Sequence, residues 1–325
     1  MKLSELGERR AIKIFEDVYG NCEKAVLTIG DDACVLEFDS EHYLVASTDL
    51  LSRRTHFPLE MPPDVIGRYA VNACLSDIAS MGAEPLGLLF SYGLPGDTED
   101  HFIKGIAEGI HKACQEHGTC VLGGDTKEQG ELLITATALG KVKRNQLLLR
   151  KGAKAGDLIL VTGEIGTSAA GYHAIVHNLK APKRAMEAAY RPNARIREGV
   201  VLGRYATSCI DVSDGLAFSL HEIAKASGVG FRIYEDRLPV DEDSLGIASN
   251  PQEREEILYH KGGEYELLFT LPGDKYESLL REFRSLGTRL TVIGEVTADG
   301  ADVVCDDGSV KKLEYRGYEA FKSTP

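Results

Sequence analysis

Short apolar runs of strand length alternate along the chain with longer stretches in which apolar residues recur every three or four positions. Residues 3–18 carry Leu6, Ile12, Ile14, Phe15 and Val18 at helical spacing and predict an amphipathic helix. KAVLTIG, ACVLEF and HYLVAST then predict three strands. Ile66, Val71, Cys74, Leu75 and Ile78 place a helix over 63–81, and a second helix over 99–117 is stopped by Gly118. LGLLFSYGL between them is a strand, and TCVLGGD and ELLITATALGKV are two more. The basic, glycine-containing stretch KVKRNQLLLRKGAKAGD, 141–157, marks a boundary and predicts domains over 1–145 and 146–325. Beyond it DLILVTG leads into a helix from about Ser168, and SCIDVSDG leads into a helix over 215–227. FRIYE, ELLFTL and RLTVIGEV are further strands. Strands and helices alternate in both halves, so the expected class is α/β (α+β).

The 325 residues are about twice a usual single-domain length, which agrees with two domains. A net charge of −13 leaves no basic surplus to neutralise phosphates, and so argues against nucleic acid or an anionic membrane as partner. It is compatible with a phosphorylated small substrate, because divalent cations bridge phosphate to carboxylate. Seven cysteines, an odd number without a C-x-x-C, fit a reducing cytoplasm better than a disulfide framework or zinc ribbon. No apolar run approaches the ~18 residues of a membrane span. The acidic, helically periodic N-terminus does not read as a signal peptide.

Five stretches repeat one chemical theme: Gly30-Asp31-Asp32, Ser47-Thr48-Asp49, Ser76-Asp77, Gly123-Gly124-Asp125-Thr126 and Asp211-Val212-Ser213-Asp214-Gly215. Four of them adjoin an apolar strand, and strand ends are where α/β proteins place ligands. Asp77 instead falls near the C-terminal end of a helix, where the macrodipole disfavours a carboxylate. Each aspartate alone has a plainer reading. Asp214 fits an N-cap before Leu216, and Asp125 fits a turn after two glycines. Capping does not account for Asp77, nor for aspartate beside hydroxyl at Thr48-Asp49 and Ser213-Asp214. Such hard oxygens suit Mg²⁺, and gathered around phosphates they suit phosphoryl transfer. The common nucleotide motifs G-x-x-x-x-G-K-[ST], H-R-D and D-F-G are absent. VTGEIGTSAAG, 161–171, is either a tight strand-to-helix turn or a phosphate cradle.

Taken together, GDD, STD, THF, LSDIASMGAEP, GGDT, R-x-GAKAGD, VSDGL and GGE resemble the ATP-dependent family that includes aminoimidazole ribonucleotide synthetase, selenophosphate synthetase and HypE. Within it the resemblance is nearest to the thiamine-monophosphate kinases, and it runs from GDDACVL to Arg316-Gly317-Tyr318. It implies an N-terminal mixed sheet that forms a homodimer and binds ATP and Mg²⁺, with a C-terminal α/β domain completing the site. It also implies direct transfer of the γ-phosphoryl of ATP onto thiamine monophosphate. Position by position, Asp32, Ser47, Thr48, Asp49, Asp77 and Asp125 are implied Mg²⁺ ligands from the first domain, and Asp211 and Asp214 from the second. Gly124, Asp125, Arg150 and Ser213 are implied ATP contacts, and His56, Glu264 and Tyr318 implied contacts to thiamine monophosphate. No catalytic side chain is called for, because the acceptor is a phosphate oxygen already ionised at neutral pH.

These residues also have readings of their own. Arg150 is a phosphate fork or a solvated surface charge. Tyr318 stacks on a planar cationic ring or simply packs. His56 and Glu264 could be structural. The chain departs from the family at Gly262-Gly263-Glu264-Tyr265-Glu266, one acidic residue short of the usual GGEDYEL. Cys74 stands where relatives often have Asn, and Arg53-Arg54 where many have small or acidic residues. Two relatives fit less well. A HypE-like factor expects a reactive C-terminal Cys, whereas this chain ends Lys322-Ser323-Thr324-Pro325, and a selenophosphate synthetase expects a reactive Cys beside Lys, a setting Cys22 lacks. A non-catalytic nucleotide-binding relative is disfavoured because clustered carboxylates repel one another without a metal.

Overall fold

Two β-sheets share one long buried helix, and that sharing positions everything described below. The computed structural model describes residues 2–20 and 22–322; Met1, Asn21 and residues 323–325, including the Ser323-Thr324-Pro325 tail weighed above, lie outside the described residues. In the first half, helices α1 (Leu3–Leu6) and α2 (Glu8–Tyr19) precede strands β1 (Ala25–Leu27), β2 (Cys34–Glu37) and β3 (His42–Ser52). Helix α3 (Pro63–Ser80), β4 (Glu84–Leu94), α4 (Asp100–Glu116), β5 (Val121–Glu128) and β6 (Leu133–Lys143) follow. The sheet order is β1-β2-β3-β6-β4-β5, and only β4 and β5 run parallel. Strand β5 therefore forms an edge.

The second half contains β7 (Leu158–Thr162), α5 (Thr167–His177), α6 (Lys183–Tyr190), α7 (Ile196–Leu202), β8 (Ser208–Asp211), α8 (Leu216–Ser227) and β9 (Gly230–Tyr234). It continues with α9 (Glu242–Leu245), α10 (Pro251–Glu255), a π-helical turn over Glu256–His260, β10 (Leu267–Leu271), α11 (Tyr276–Leu286), β11 (Leu290–Thr297), β12 (Ala301–Val304) and β13 (Val310–Lys312). Its sheet order is β13-β12-β9-β11-β7-β10-β8.

Helix α3 is buried along nearly its whole length, which is why its apolar residues are not confined to one stripe. It packs on β3 and β6 on one side and on β8 and α7 on the other. One apolar core consequently runs from Val45 and Ile134 of the first sheet through Ile66, Leu75 and Ile78 to Leu267 and Phe269 of the second. The predicted helix over 3–18 is broken at Gly7, whose φ of +79° ends α1, and Ile12, Ile14, Phe15 and Val18 of α2 lie exposed. The strand predicted to end at Asp125 continues to Glu128, so Asp125 lies within a strand and not in a turn. Asp214 does not cap α8: Gly215 holds the N-cap position and no side chain bonds the helix start. The region holding α6 and α7, and the short strands β12 and β13, carried too weak a periodicity to be predicted. Among the described residues no helix is long and apolar enough to cross a membrane.

Candidate active site

The carboxylates gather where α3 is held between the two sheets. Strand alternation places Ser47 and Asp49 on the buried face of β3, toward α3. The Ser47 hydroxyl donates to Asp77 Oδ2 at 2.5 Å. One turn earlier on α3, Cys74 Sγ donates to the backbone oxygen of Ala136 at 3.3 Å. Ser76 reaches the other way and donates to Asp211 Oδ2, at 2.8 Å, at the end of β8. Ser213 donates to the second oxygen of Asp211 at 3.2 Å. Asp32 receives the Arg150 fork through Nε at 3.0 Å and Nη2 at 2.6 Å, and Nη1 of the same arginine donates to Glu222 at 3.1 Å. Asp31, next door, accepts the backbone N–H of Arg150 at 3.1 Å. Residues 32, 49 and 77 of the first half and residues 211 and 214 of the second are thus brought to one seam.

Their protonation equilibria register that proximity. Burial, then the charges of Asp49, Asp211 and Asp32, pushes Asp77 well above the usual carboxylate range. Burial and then the charge of Asp32 pushes Asp211 up to about 8. Burial raises Asp49 to about 6, and burial followed by Glu8 raises Asp214 to about 7. Burial also opposes the charge of Arg150, but Asp32, Asp31 and Glu222 more than offset it and keep the guanidinium ionised.

Three expected site residues stand apart from this cluster. Thr48 follows Ser47 by one residue, so its side chain takes the opposite, open face of β3, where it donates to Ala136 O and meets Thr137 Oγ1 at 2.9 Å. Asp125 pairs with Ser91, which pairs with Thr135, which pairs with Leu50. That puts Asp125 three strand spacings from β3, about 14 Å, and on the open face. Its side chain accepts Thr126 N–H at 2.8 Å, and among the described residues it meets one side chain, Lys127 at 3.7 Å. Gly124 is also on β5, and its lack of a side chain has a structural cause: a Cβ there would lie 1.7 Å from Phe90 O.

The implied acceptor contacts lie beside the seam. Gly263 N–H donates to Ser213 O at 2.8 Å, and a Cβ on Gly262 would come within 1.8 Å of that oxygen. The two glycines therefore let the GGE segment lie directly against the Ser213-Asp214 turn. Glu264 caps α5, accepting Gly166 N–H at 2.9 Å, Ala169 N–H at 3.1 Å and Ser168 N–H at 3.3 Å. Burial still raises it to about 7. Tyr318 N–H donates to Asp214 O at 2.9 Å, and Arg9, stacked over Phe218, donates to Tyr318 O at 3.2 Å. The Tyr318 ring itself is 43% exposed, open to a ligand. His56, in the turn after β3, shares a 2.7 Å hydrogen bond with Thr55, and burial lowers its pKa to about 4. Tyr265, directly after Glu264 in the shortened segment, adopts φ +53°. Of the two departures by the His56 loop, Arg53 donates to the backbone oxygens of Phe57 and Pro58 and braces the loop, while Arg54 is exposed.

Sequence reasoning named Ser76 beside Asp77 without giving it a role, and passed over Glu222. The role of Ser76 could have been found from its place directly before Asp77. Glu222 has no local signal, because only the fold brings helix α8 to Arg150.

The donor set is hard oxygen throughout: carboxylates, with Ser47 and Ser213 hydroxyls hydrogen-bonded to them. Among the described residues no three His, Cys, Asp or Glu side chains already form a metal cage. Mg²⁺ needs none, since it keeps several waters and is held by one or two carboxylates together with substrate phosphates. Mutually repelling, proton-retaining carboxylates are what such an ion relieves, so the residues fit it.

Comparison with known proteins agrees with this chemistry. Residues 30–142 match the family described as AIR synthase related protein, N-terminal domain, and residues 154–306 match its C-terminal domain. The chain is 35% identical to a thiamine-monophosphate kinase of Pyrococcus horikoshii over 320 residues, 98% of each chain. It is 37% identical to that of Pyrococcus abyssi over 292 residues, 90% of each. Among solved structures, AaThiL complexed with AMPPCP and TMP superposes with a TM-score of 0.84 at 28% identity, covering 98% of this chain and 99% of that one.

Proposed function

The chain belongs to the AIR synthase related family, among its thiamine-monophosphate kinases, and we propose that it transfers the γ-phosphoryl of ATP in line onto the phosphate of thiamine monophosphate. The observation that carries this reading is the convergence of Asp32, Asp49, Asp77, Asp211 and Asp214, from both halves, on one seam beside His56, Glu264 and Tyr318. Residues 1–145 supply the ATP and metal side, and residues 146–325 complete it.

Ser47 and the carboxylates would hold Mg²⁺, which when bound neutralises phosphate charge and bridges the nucleotide to the protein. The chain's own residues position the reactants. Arg150 is held at the seam by Asp32, which takes Nε and Nη2, and by Glu222, which takes Nη1, and its two remaining N–H donors are left for phosphate oxygens. Ser213 holds the carboxylate of Asp211, while its backbone oxygen anchors the GGE segment on the acceptor side. His56, kept neutral at pH 7, is one acceptor contact, with Glu264 at the start of α5 and Tyr318 over the opening. None of them need act as a general base on an ionised phosphate.

The dimer belongs to the same reading. Thr48, Leu50, Leu89, Ser91 and Asp125 share the open face of the first sheet, where Leu50 is 62% and Leu89 40% exposed. A second copy on this face would cover those leucines and bring a partner surface to Gly124, Asp125 and Thr48. We assign the reaction to the reducing cytoplasm, where Cys74 and Cys209, buried beside the carboxylates, remain thiols.

Purified protein given ATP, Mg²⁺ and thiamine monophosphate should form thiamine diphosphate. ATP binding without that product would contradict the reading.

A further inference from the structure

Helix α5 turns one face toward all three implied acceptor contacts. Tyr172 lies at its centre. The Tyr172 hydroxyl is 3.2 Å from the backbone oxygen of His56 and 3.0 Å from the hydroxyl of Tyr69, which is 3.1 Å from the hydroxyl of Tyr265. The Tyr172 ring lies 3.4 Å from where a Cβ would stand on Gly263, the residue before Glu264. The Tyr318 phenol is within electrostatic range of that of Tyr172. One turn earlier on the helix, Ser168 Oγ is also 3.4 Å from the same Cβ position. Ser168 is 2% exposed, and its hydroxyl has no hydrogen-bond partner among the described residues.

The Tyr172 hydroxyl is the donor to both the His56 carbonyl and the Tyr69 hydroxyl, and either phenol can donate in the Tyr69–Tyr265 contact. The chain of phenols thus ends on the backbone of the loop that carries His56. The Ser168 hydroxyl is a different matter: among the described residues no protein group satisfies it, which leaves a buried donor for a ligand to engage.

We propose that Tyr172 is a positioning residue, and Ser168 a direct contact, of the phosphate-acceptor site. Tyr172 fixes the His56 loop against α5, and Ser168 hydrogen-bonds a ring nitrogen of the acceptor's heteroaromatic part. The inference rests on the kinase reading above and deepens it by assigning this face of α5 to the aminopyrimidine of thiamine monophosphate.

The test is steady-state kinetics on the full-length protein, varying thiamine monophosphate and ATP separately, alongside calorimetric binding of thiamine monophosphate and the thermal unfolding midpoint. Ser168→Ala and Tyr172→Phe should each raise KM and Kd for thiamine monophosphate about fivefold, the scale of one lost hydrogen bond. KM for ATP should stay within about twofold, which a merely structural defect would not spare. The unfolding midpoint of Ser168→Ala should not fall, since the variant removes an unsatisfied hydroxyl. Tyr265→Phe leaves the Tyr172–His56 bond in place and should leave acceptor KM within about twofold. Unchanged acceptor affinity in Ser168→Ala and Tyr172→Phe, or parallel rises in both KM values, would overturn the proposal. Should Tyr172→Phe fail to fold, Ser168→Ala decides alone. Wild-type protein that binds thiamine monophosphate without forming the diphosphate contradicts the kinase reading, and the Kd comparison still decides this one. Wild-type protein that does not bind thiamine monophosphate overturns both.

Discussion

At the scale of single residues, Asp77 concentrates the chemistry. It sits in the last turn of α3, where the helix dipole opposes its charge, and burial together with three neighbouring carboxylates raises its pKa well above the usual range. A carboxyl placed where its charge is so disfavoured serves something other than the fold. Asp77→Asn should therefore lower kcat/KM by about two orders of magnitude, the scale of one lost electrostatic group in phosphoryl transfer. It should leave the unfolding midpoint of the Mg²⁺-free protein unchanged or raised; near-normal turnover would contradict the assignment. The aspartate motifs were legible because Asp beside Ser or Thr recurs in four of the five stretches. Which face each side chain takes was not. Ser-Thr-Asp looks like one ligand group in sequence, yet the period of two along β3 sends Thr48 away from Ser47 and Asp49. Glu264 was legible as part of GGE, but its hold on the start of α5 spans nearly a hundred residues and leaves no local mark.

At the scale of elements, α3 was foreseen within one residue at its end, because eighteen residues of continuous apolar periodicity leave little ambiguity. The strand through Gly124 was foreseen in its first half only, since GGDT reads as a turn. The fold explains the glycine: β4 and β5 approach so closely at Phe90 that no side chain fits. Gly124→Ala should lower the unfolding midpoint by about 4 °C or more, whatever its effect on ATP. Gly273→Ala, where nothing lies within 4 Å of the added carbon, should shift it by about 1 °C at most. Equal shifts in differential scanning calorimetry would refute this account of the strand contact. The helix over 3–18 shows the converse difficulty. Its amphipathic pattern was plain, but a pattern says only that one face is apolar, not that this chain covers it, and Ile12, Phe15 and Val18 remain exposed.

At the scale of the whole molecule, the raised carboxyls couple stability to pH. Asp31 and Asp49 are at about 6, Asp214 and Glu264 at about 7, and Asp211 at about 8, against about 4 in an unfolded chain. Between about pH 4 and pH 8 the folded protein binds more protons than the unfolded one, so these groups make stability fall as pH rises through that window. Below about pH 4 both states are protonated and the contribution is fully present. In EDTA the unfolding midpoint should be lower at pH 8 than at pH 6. Mg²⁺ with ATP should raise it more at pH 8, because the ions bind the folded carboxylates. A midpoint that is flat or higher at pH 8 without metal would count against the clustered charges. The α/β class was foreseeable from alternation alone. That both halves share one core through α3 was not, because contacts such as Ser76 to Asp211 join residues 135 positions apart.

The central claim is that carboxylates from both halves converge to hold metal-bound triphosphate. Anomalous diffraction from crystals grown with Mn²⁺ in place of Mg²⁺ and a non-hydrolysable ATP analogue tests it most directly. The account predicts metal peaks at about 2.1 Å from oxygens of Asp49, Asp77 and Asp211, with the nucleotide phosphates on the same ions. Metal and phosphates bound together away from these three residues would contradict it.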